Sequence, residues 1–124
     1  MELQFFRCAH CKKIVAIVNP AAVPTICCSQ PMEQLIPGTT DGASEKHIPE
    51  VTRSGNEVKV KVGSIEHPMT PEHYIQWICL QTKNGNQRKV LAPTDKPEAS
   101  FLIYEDDEIE AVYEYCNLHG LWKK

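Results

Sequence analysis

The chain of 124 residues lacks the features that define several classes of protein. It contains no run of about 18 apolar residues, the length that a membrane-spanning helix needs. The apolar stretch within Met1–Arg7 is too short for a signal peptide, so we expect a cytoplasmic protein. Lys and Arg (13) are scattered and outnumbered by Asp and Glu (16), and the net charge is -3. We therefore expect no membrane and no nucleic-acid partner.

Helical periodicity is also scarce, beyond a turn or two near residues 41–46. Strand signals are frequent instead. In Glu57–Val62, valines alternate with lysines, and Asn84-Gly85 is a strong hairpin signal. Further strand candidates are Tyr74–Leu80, Lys89–Ala92, Phe101–Tyr104 and Ala111–Tyr115. Short strands separated by turn signals predict an all-β chain with an antiparallel β-sandwich of the immunoglobulin-like kind.

The composition changes at about residue 37. Residues 1–36 cannot bury a self-sufficient core, so a metal must order much of this part. Pro37–Ala43 is rich in Gly, Thr and Asp and is typical of a linker. We therefore predict two domains, a small metal-binding domain at 1–36 and the sandwich at 37–124.

The six cysteines could form disulfides in a secreted protein, but the missing signal peptide argues against that interpretation. Adjacent Cys27 and Cys28 would also pair only with strain. With the CxxC pair Cys8 and Cys11 they make four thiolates, the number that a tetrahedral ion needs. The adjacent pair favours a distorted iron tetrathiolate, with structural zinc as the alternative. His10 is expected to be an exposed turn residue, and Cys79 a small apolar strand residue.

A second group of donors consists of histidines beside predicted strands and a CxxH pair near residue 119. Any one of these histidines alone would be interpreted as a surface group. Together they predict a shared metal site on loops at one end of the sandwich. Its candidate ligands are His47, His67, His73, Cys116 and His119.

The stretches EKHIPE, VKVGSIEHPMTPEHYIQWI and EYCNLHGLWK, after a CxxC and a CC, resemble desulfoferrodoxin, the two-iron form of superoxide reductase. The resemblance spans nearly the whole chain and implies a desulforedoxin-like first domain. It also implies one iron held by four thiolates and a catalytic iron held by four imidazoles with an axial thiolate. The thiolate ligands would be Cys8, Cys11, Cys27 and Cys28, and the catalytic ligands His47, His67, His73, His119 and Cys116.

The resemblance further implies the reaction and its partners. Superoxide would be reduced to hydrogen peroxide, with electrons from rubredoxin or a similar donor, and the chain would form a homodimer. Lys46 would attract superoxide and order a water that delivers a proton, and Glu45 would hold the oxidised iron. Lys12 departs from the family pattern, which usually has glycine after the CxxC.

Two other functions are compatible with the residues alone. The chain could be an electron carrier, in which the thiolate iron is the working centre. It could also be a zinc-stabilised binding module, for which Trp77 or Trp122 would be the contact residues. These two alternatives predict, respectively, no rapid reaction with superoxide and a colourless protein.

Overall fold

The computed structural model describes residues 2–124, which are almost entirely β-structure. The chain divides into two compact units, Met1–Ile36 and Pro37–Lys124. The described residues form one short helix, α1 (Ser44–His47), at the place where the sequence predicts a helical turn. The prediction of an all-β fold is confirmed. No helix in the described part of the chain is both long and apolar enough to cross a bilayer.

The smaller unit is built from five short strands. They are β1 (Phe5–Arg7), β2 (Ile14–Ala16), β3 (Ile26–Cys27), β4 (Gln30–Pro31) and β5 (Glu33–Gln34). One sheet has the order β2-β1-β5, and β3 pairs with β4 in a separate hairpin. Within residues 2–36 the buried apolar side chains are Phe5, Cys8 and Met32. So small a core leaves the unit dependent on crosslinking by a bound ion.

The larger unit contains seven strands across residues 37–124. They are β6 (Pro49–Ser54), β7 (Glu57–Val62), β8 (Ile75–Thr82), β9 (Gly85–Val90), β10 (Glu98–Leu102), β11 (Ile109–Cys116) and β12 (Gly120–Lys123). The strands form two antiparallel sheets with the orders β10-β7-β6 and β12-β11-β8-β9.

The core lies between these two sheets. One sheet contributes side chains such as Val58, Val60 and Phe101, and the other contributes side chains such as Ile78 and Leu80. In β7 the valines are buried while Lys59 and Lys61 are exposed, as the alternation predicts. Burying such aliphatic side chains is worth about 1.5–3 kcal/mol each, so this layer supplies most of the stability of the sandwich.

Strand register brings four chain segments to one end of the sandwich. Pro49, at the start of β6, pairs with Val62 at the end of β7. Ile75, at the start of β8, pairs with Cys116 at the end of β11. The loops that leave these strands therefore gather the histidines in one place.

Residues 37–43 belong to this end of the larger unit. The Gly38 N–H donates to the Leu121 carbonyl, and the Thr40 hydroxyl donates to the His119 carbonyl. The segment that the composition marks as a linker is thus hydrogen-bonded to the loop that carries His119.

Candidate metal centres

Four thiols of the smaller unit lie in one cluster. Their sulfur atoms are all within 4.8 Å of one another, and they belong to Cys8, Cys11, Cys27 and Cys28. The Cys27 sulfur lies 3.6 Å from that of Cys11 and 4.0 Å from that of Cys28. Cys8 is buried, whereas Cys11 and Cys28 are exposed, so the cluster is open to solvent on one side.

The first two thiols are held by a tight turn after β1. The Lys12 N–H donates to the Cys8 carbonyl at 3.0 Å, and the Cys11 N–H donates to the Cys8 sulfur at 3.4 Å. Lys12 has φ of 69°, in the left-handed region that favours glycine. Its ammonium donates to the Ala9 carbonyl at 2.6 Å, which ties the side chain back across the turn. The turn therefore accommodates a lysine where the resembled family usually has glycine.

The ionisation of these thiols is coupled. The Cys11 N–H is the largest factor that lowers the pKa of Cys8, to about 6. Hydrogen bonding with the thiols of Cys11 and Cys8 raises the pKa of Cys27 to about 12. The Cys8 sulfur ionises readily, whereas the raised pKa values of Cys27 and Cys28 keep those two thiols protonated. Only a cation can balance four thiolates so close together, and the soft donor set fits a tetrahedral iron or zinc ion.

The larger unit places four imidazoles and one thiol together. Their ligating atoms are also within 4.8 Å of one another, and they belong to His47, His67, His73, Cys116 and His119. The four rings form a closed cycle in the order 47, 67, 73, 119, with neighbouring centroids 4.7–4.9 Å apart and edge-on. Rings in this order surround a common centre.

Two of the rings are oriented by hydrogen bonds to backbone carbonyls. Nδ1 of His47 lies 2.8 Å from the Ala43 carbonyl, and Nδ1 of His67 lies 2.7 Å from the Pro68 carbonyl. A carbonyl only accepts, so each Nδ1 carries the proton, and each Nε2 presents a lone pair. The two Nε2 atoms are 3.2 Å apart, a spacing that suits two ligands of one ion.

Burial favours the neutral form of three of the rings. It is the largest factor that lowers the pKa of His47, His67 and His73, and for His67 the value falls to about 4. Nε2 of His73 is buried and has no hydrogen-bond partner among the described residues. A buried nitrogen with an unused lone pair is costly unless it binds an ion. The donor set therefore fits a transition-metal ion.

Cys116 closes the site. Its sulfur is fully buried and lies 3.9 Å from Nδ1 of His119, which in turn lies 3.1 Å from Nε2 of His47. Burial raises the pKa of Cys116, and the N–H groups of His119 and Leu118 act in the opposite direction. These N–H groups are positioned to stabilise a thiolate.

A glycine allows the loop after β7 to approach α1. A Cβ at Gly63 would lie 2.5 Å from the Ile65 carbonyl oxygen and 2.8 Å from that of Glu45, and the backbone φ is 82°. The Ile65 N–H donates to the Glu45 carbonyl at 3.0 Å. This contact joins the segment that carries His67 to the helix that carries His47.

Glu45 and Lys46 lie in α1, directly before His47, and both side chains are exposed. After burial and the charge of His119, the charge of Lys46 contributes to lowering the pKa of His73. Lys46 forms no ion pair with any residue between 2 and 124. Its charge is therefore not neutralised by a carboxylate of the described chain.

Three residues near the site either were not identified from the sequence or have a different role from the one that the sequence suggested. Glu114 is fully buried two residues before Cys116, and burial raises its pKa to about 9, so it is protonated at neutral pH. The alternation of Val112, Glu114 and Cys116 on one face of β11 is the signal that could have located it. Asn117 forms hydrogen bonds to the segment around His73.

The third is Trp122, which the sequence alone allows as a surface contact residue. It is 5% exposed and stacks on His47, and Trp77 is 7% exposed. Because both indoles are buried, neither can be a contact residue of a binding module.

Together, the fold and the two donor clusters define a two-centre β-sandwich metalloprotein. A family model described as Desulfoferrodoxin matches residues 39–124, and one described as Desulfoferrodoxin, N-terminal domain, matches residues 1–35. The chain belongs to the desulfoferrodoxin family. In this family context the four-cysteine cluster and the cluster of four histidines with one cysteine are two iron sites.

Similar proteins support the assignment along the whole chain. Desulfoferrodoxin of Nitratidesulfovibrio vulgaris is 42% identical over 98% of this chain and 95% of its own length. The superoxide reductase structure from Treponema pallidum has a TM-score of 0.84 and 46% identity, and the match covers 100% of this chain and 99% of that one. A superoxide reductase (1Fe-SOR) structure from Giardia intestinalis has a TM-score of 0.55 and 35% identity, covering 64% of this chain and 95% of that one.

Proposed function

We propose that the chain is a superoxide reductase whose catalytic iron is held at the imidazole cluster. The ligands would be His47, His67, His73 and His119 with Cys116. The observation that carries the proposal is the closed cycle of four imidazole rings with one buried thiol within ligand distance. These five donors would hold the iron, which would supply an electron to a small anion bound beside them.

In the reaction, superoxide gains one electron and two protons and becomes hydrogen peroxide. Bound ferrous iron would supply that electron, and a thiolate ligand makes the electron easier to release. The chain's own residues provide the setting. Backbone carbonyls fix the lone pairs of His47 and His67 toward the centre, and the N–H groups of Leu118 and His119 favour the ionised form of Cys116.

Lys46 is proposed to guide superoxide to the site. The net charge of -3 gives the whole chain no attraction for an anion, so a local cation must provide it. Lys46 is exposed, precedes a ligand and forms no ion pair among residues 2–124. Its ammonium would also order the water that delivers a proton to the product.

Glu45 is proposed to hold the iron after oxidation, because a carboxylate is a harder donor that suits the ferric ion. The side chain is exposed in α1, two residues before His47. Its backbone carbonyl is already fixed by the Ile65 N–H and the Ser64 hydroxyl, so movement would be confined to the side chain.

The second iron would be held by Cys8, Cys11, Cys27 and Cys28. Four thiolates fill a tetrahedral ion, so this centre would carry electrons and leave superoxide to the other one. The exposed sulfurs of Cys11 and Cys28 are a suitable entry point for electrons from rubredoxin or a similar donor. We further propose that the chain has two domains, residues 1–36 and 37–124, that it forms a homodimer and that it is located in the cytoplasm.

Metal analysis, visible spectroscopy and pulse radiolysis of the purified chain test the proposal together. Two irons per chain, two distinct ferric spectra and a fast second-order reaction with superoxide are expected. A coloured protein that does not react with superoxide would instead be an electron carrier. A colourless zinc protein would replace it with a metal-stabilised binding module.

A further inference from the structure

The ring of His73 is anchored differently from the rings of His47 and His67. His47 and His67 are each fixed by an Nδ1 hydrogen bond to a backbone carbonyl. Neither ring nitrogen of His73 forms a hydrogen bond within residues 2–124, and its Nε2 is buried. The direction of this ring therefore depends on how firmly its backbone is held.

The backbone of His73 itself pairs with Thr70, and the side chain of Asn117 holds the residues on both sides of His73. Its Oδ1 accepts the N–H of Tyr74 at 2.9 Å, and its Nδ2 donates to the carbonyl of Glu72 at 2.9 Å. The Asn117 N–H also donates to the Tyr74 carbonyl at 3.3 Å. A short carboxamide carries its acceptor and its donor on two separate atoms, as these two bonds require.

These bonds occur where the regular ladder between β8 and β11 is interrupted. The register shifts between Tyr115 and Cys116, immediately before Asn117. Asn117 follows Cys116 and lies two residues before His119. One side chain thus links the segment of His73 to the loop that carries the thiolate and the fourth imidazole.

We propose that Asn117 is a positioning residue that fixes His73 relative to Cys116 and His119. The proposal rests on the assignment of a metal ion to this site. Residues that orient a ligand typically contribute about 10–100-fold to metal affinity, and we expect a loss in that range for Asn117→Ala. The loss arises because His73 then samples orientations that do not point its Nε2 toward the ion.

Co²⁺ titration of the full chain, with the four-thiol site filled beforehand, measures this affinity from the absorption of Co²⁺ bound to the imidazoles. Asn86→Ala is the matched control, since Asn86 is an exposed residue of β9, in the part of the sandwich away from the histidines. We expect Asn86→Ala to leave the dissociation constant unchanged. Asn117→Leu, close to Asn in shape, is the second variant if Asn117→Ala does not fold.

A double-mutant cycle separates positioning from general loosening of the loop. We expect Asn117→Ala to have little further effect in the His73→Ala background and its full effect in the His119→Ala background. Ring resonances in the metal-free variant should broaden for His73 and stay sharp for His47 and His67. An equal loss of affinity in both backgrounds, or no loss in the parent chain, would overturn the proposal.

The outcome is independent of the proposed reaction. A parent chain that binds Co²⁺ at the imidazoles and fails to reduce superoxide would refute the proposed function. The titration would still decide the role of Asn117, because it measures the affinity for Co²⁺, which does not depend on turnover.

Discussion

The indole of Trp122 is stacked on the imidazole of His47, with ring centroids 4.9 Å apart and planes 23° apart. The same indole donates its Nε1–H to the carbonyl of His119 at 3.0 Å. A Cβ at Gly42 would lie 3.1–3.2 Å from side-chain atoms of Trp122, His119 and His47, so a larger residue there would press on this contact. One aromatic side chain therefore contacts two of the candidate ligands.

We expect two variants to distinguish the contribution of the stacked ring from that of the hydrogen bond. Trp122→Phe keeps an aromatic ring on His47 and loses the hydrogen bond, at a cost of about 1 kcal/mol in the free energy of unfolding. Trp122→Ala loses the ring as well, and the free energy of unfolding should fall by about 3–5 kcal/mol. Urea unfolding of both proteins in the same metal state measures the difference. Equal losses would mean that the stacked ring contributes nothing beyond the hydrogen bond.

Cys11→Ser should remove the tetrathiolate centre and spare the catalytic one. Cys11 lies 3.6 Å from the Cys27 sulfur, and a serine hydroxyl is a much weaker ligand for a soft ion. We expect one iron per chain, loss of the tetrathiolate colour and an unchanged reaction with superoxide. Cys79→Ser is the matched control, because Cys79 is buried in β8 and belongs to neither donor cluster. Loss of the reaction in a folded Cys11→Ser protein would contradict the assignment of separate roles.

Strands with one covered face could be predicted from sequence. β7 alternates valine and lysine, and its observed bounds match the prediction. β12 (Gly120–Lys123) was missed because it is only 4 residues long and, with Leu121 and Trp122 buried on opposite faces, shows no alternation. β6 (Pro49–Ser54) was missed for the opposite reason, since most of its side chains are exposed and its pairing comes from β7.

The donor atoms of both centres were also predictable, because Cys and His are the residue types that bind transition metals. The residues that hold the donors were not. Gly63 and Asn117 are ordinary loop residues in sequence, and their roles depend on contacts with segments far along the chain. Such tertiary contacts leave no local pattern.

Asp107 should contribute stability only where it is ionised. Its pKa is lowered below 3.8, first by the Thr82 hydroxyl and then by the N–H groups of Glu108 and Asn84 and the charge of Arg53. A carboxyl whose pKa is lower in the folded state stabilises the fold above its unfolded pKa, and this stability is lost as pH falls through the folded pKa. Asp107→Asn should therefore be less stable than the parent at pH 7.

Urea unfolding over a pH series tests this, with both proteins in the same metal state. The stability difference between parent and variant should be constant down to about pH 5 and shrink below about pH 4. A difference independent of pH down to about pH 3 would show that the ionised carboxylate is not what stabilises this turn.

Cys116→Ser should abolish the reductase activity even in protein that retains iron at the imidazoles. The fully buried sulfur is the one soft anionic donor of this site, and a hydroxyl is a far weaker electron donor than a thiolate. We expect the ferric absorption to change along with the loss of turnover, while the tetrathiolate spectrum stays the same. Near-normal turnover in an iron-loaded variant would refute the proposed ligand role of Cys116.

Lys46→Ala should slow the encounter with superoxide and leave the ferrous site intact. The ammonium is exposed beside His47 and, within residues 2–124, forms no ion pair that would cancel its charge. Electrostatic steering by all the charges of a protein changes association rates by about 10–1000-fold. Removing one charge should therefore slow the encounter by several-fold to tens of times. Lys59→Ala is a matched control, because Lys59 lies on the outer face of β7 and already pairs with Glu57.

Pulse radiolysis over a salt series distinguishes Lys46 from Glu45. Added salt screens charges over a Debye length of about 10 Å at 0.1 M, so it should slow the parent protein more than Lys46→Ala. Glu45→Ala should alter the ferric spectrum and leave the encounter rate largely unchanged, because a carboxylate ligand matters only after oxidation. If Lys46→Ala keeps both the rate and the salt dependence of the parent, another residue guides the anion. If Glu45→Ala leaves the ferric spectrum unchanged, that carboxylate does not hold the oxidised iron.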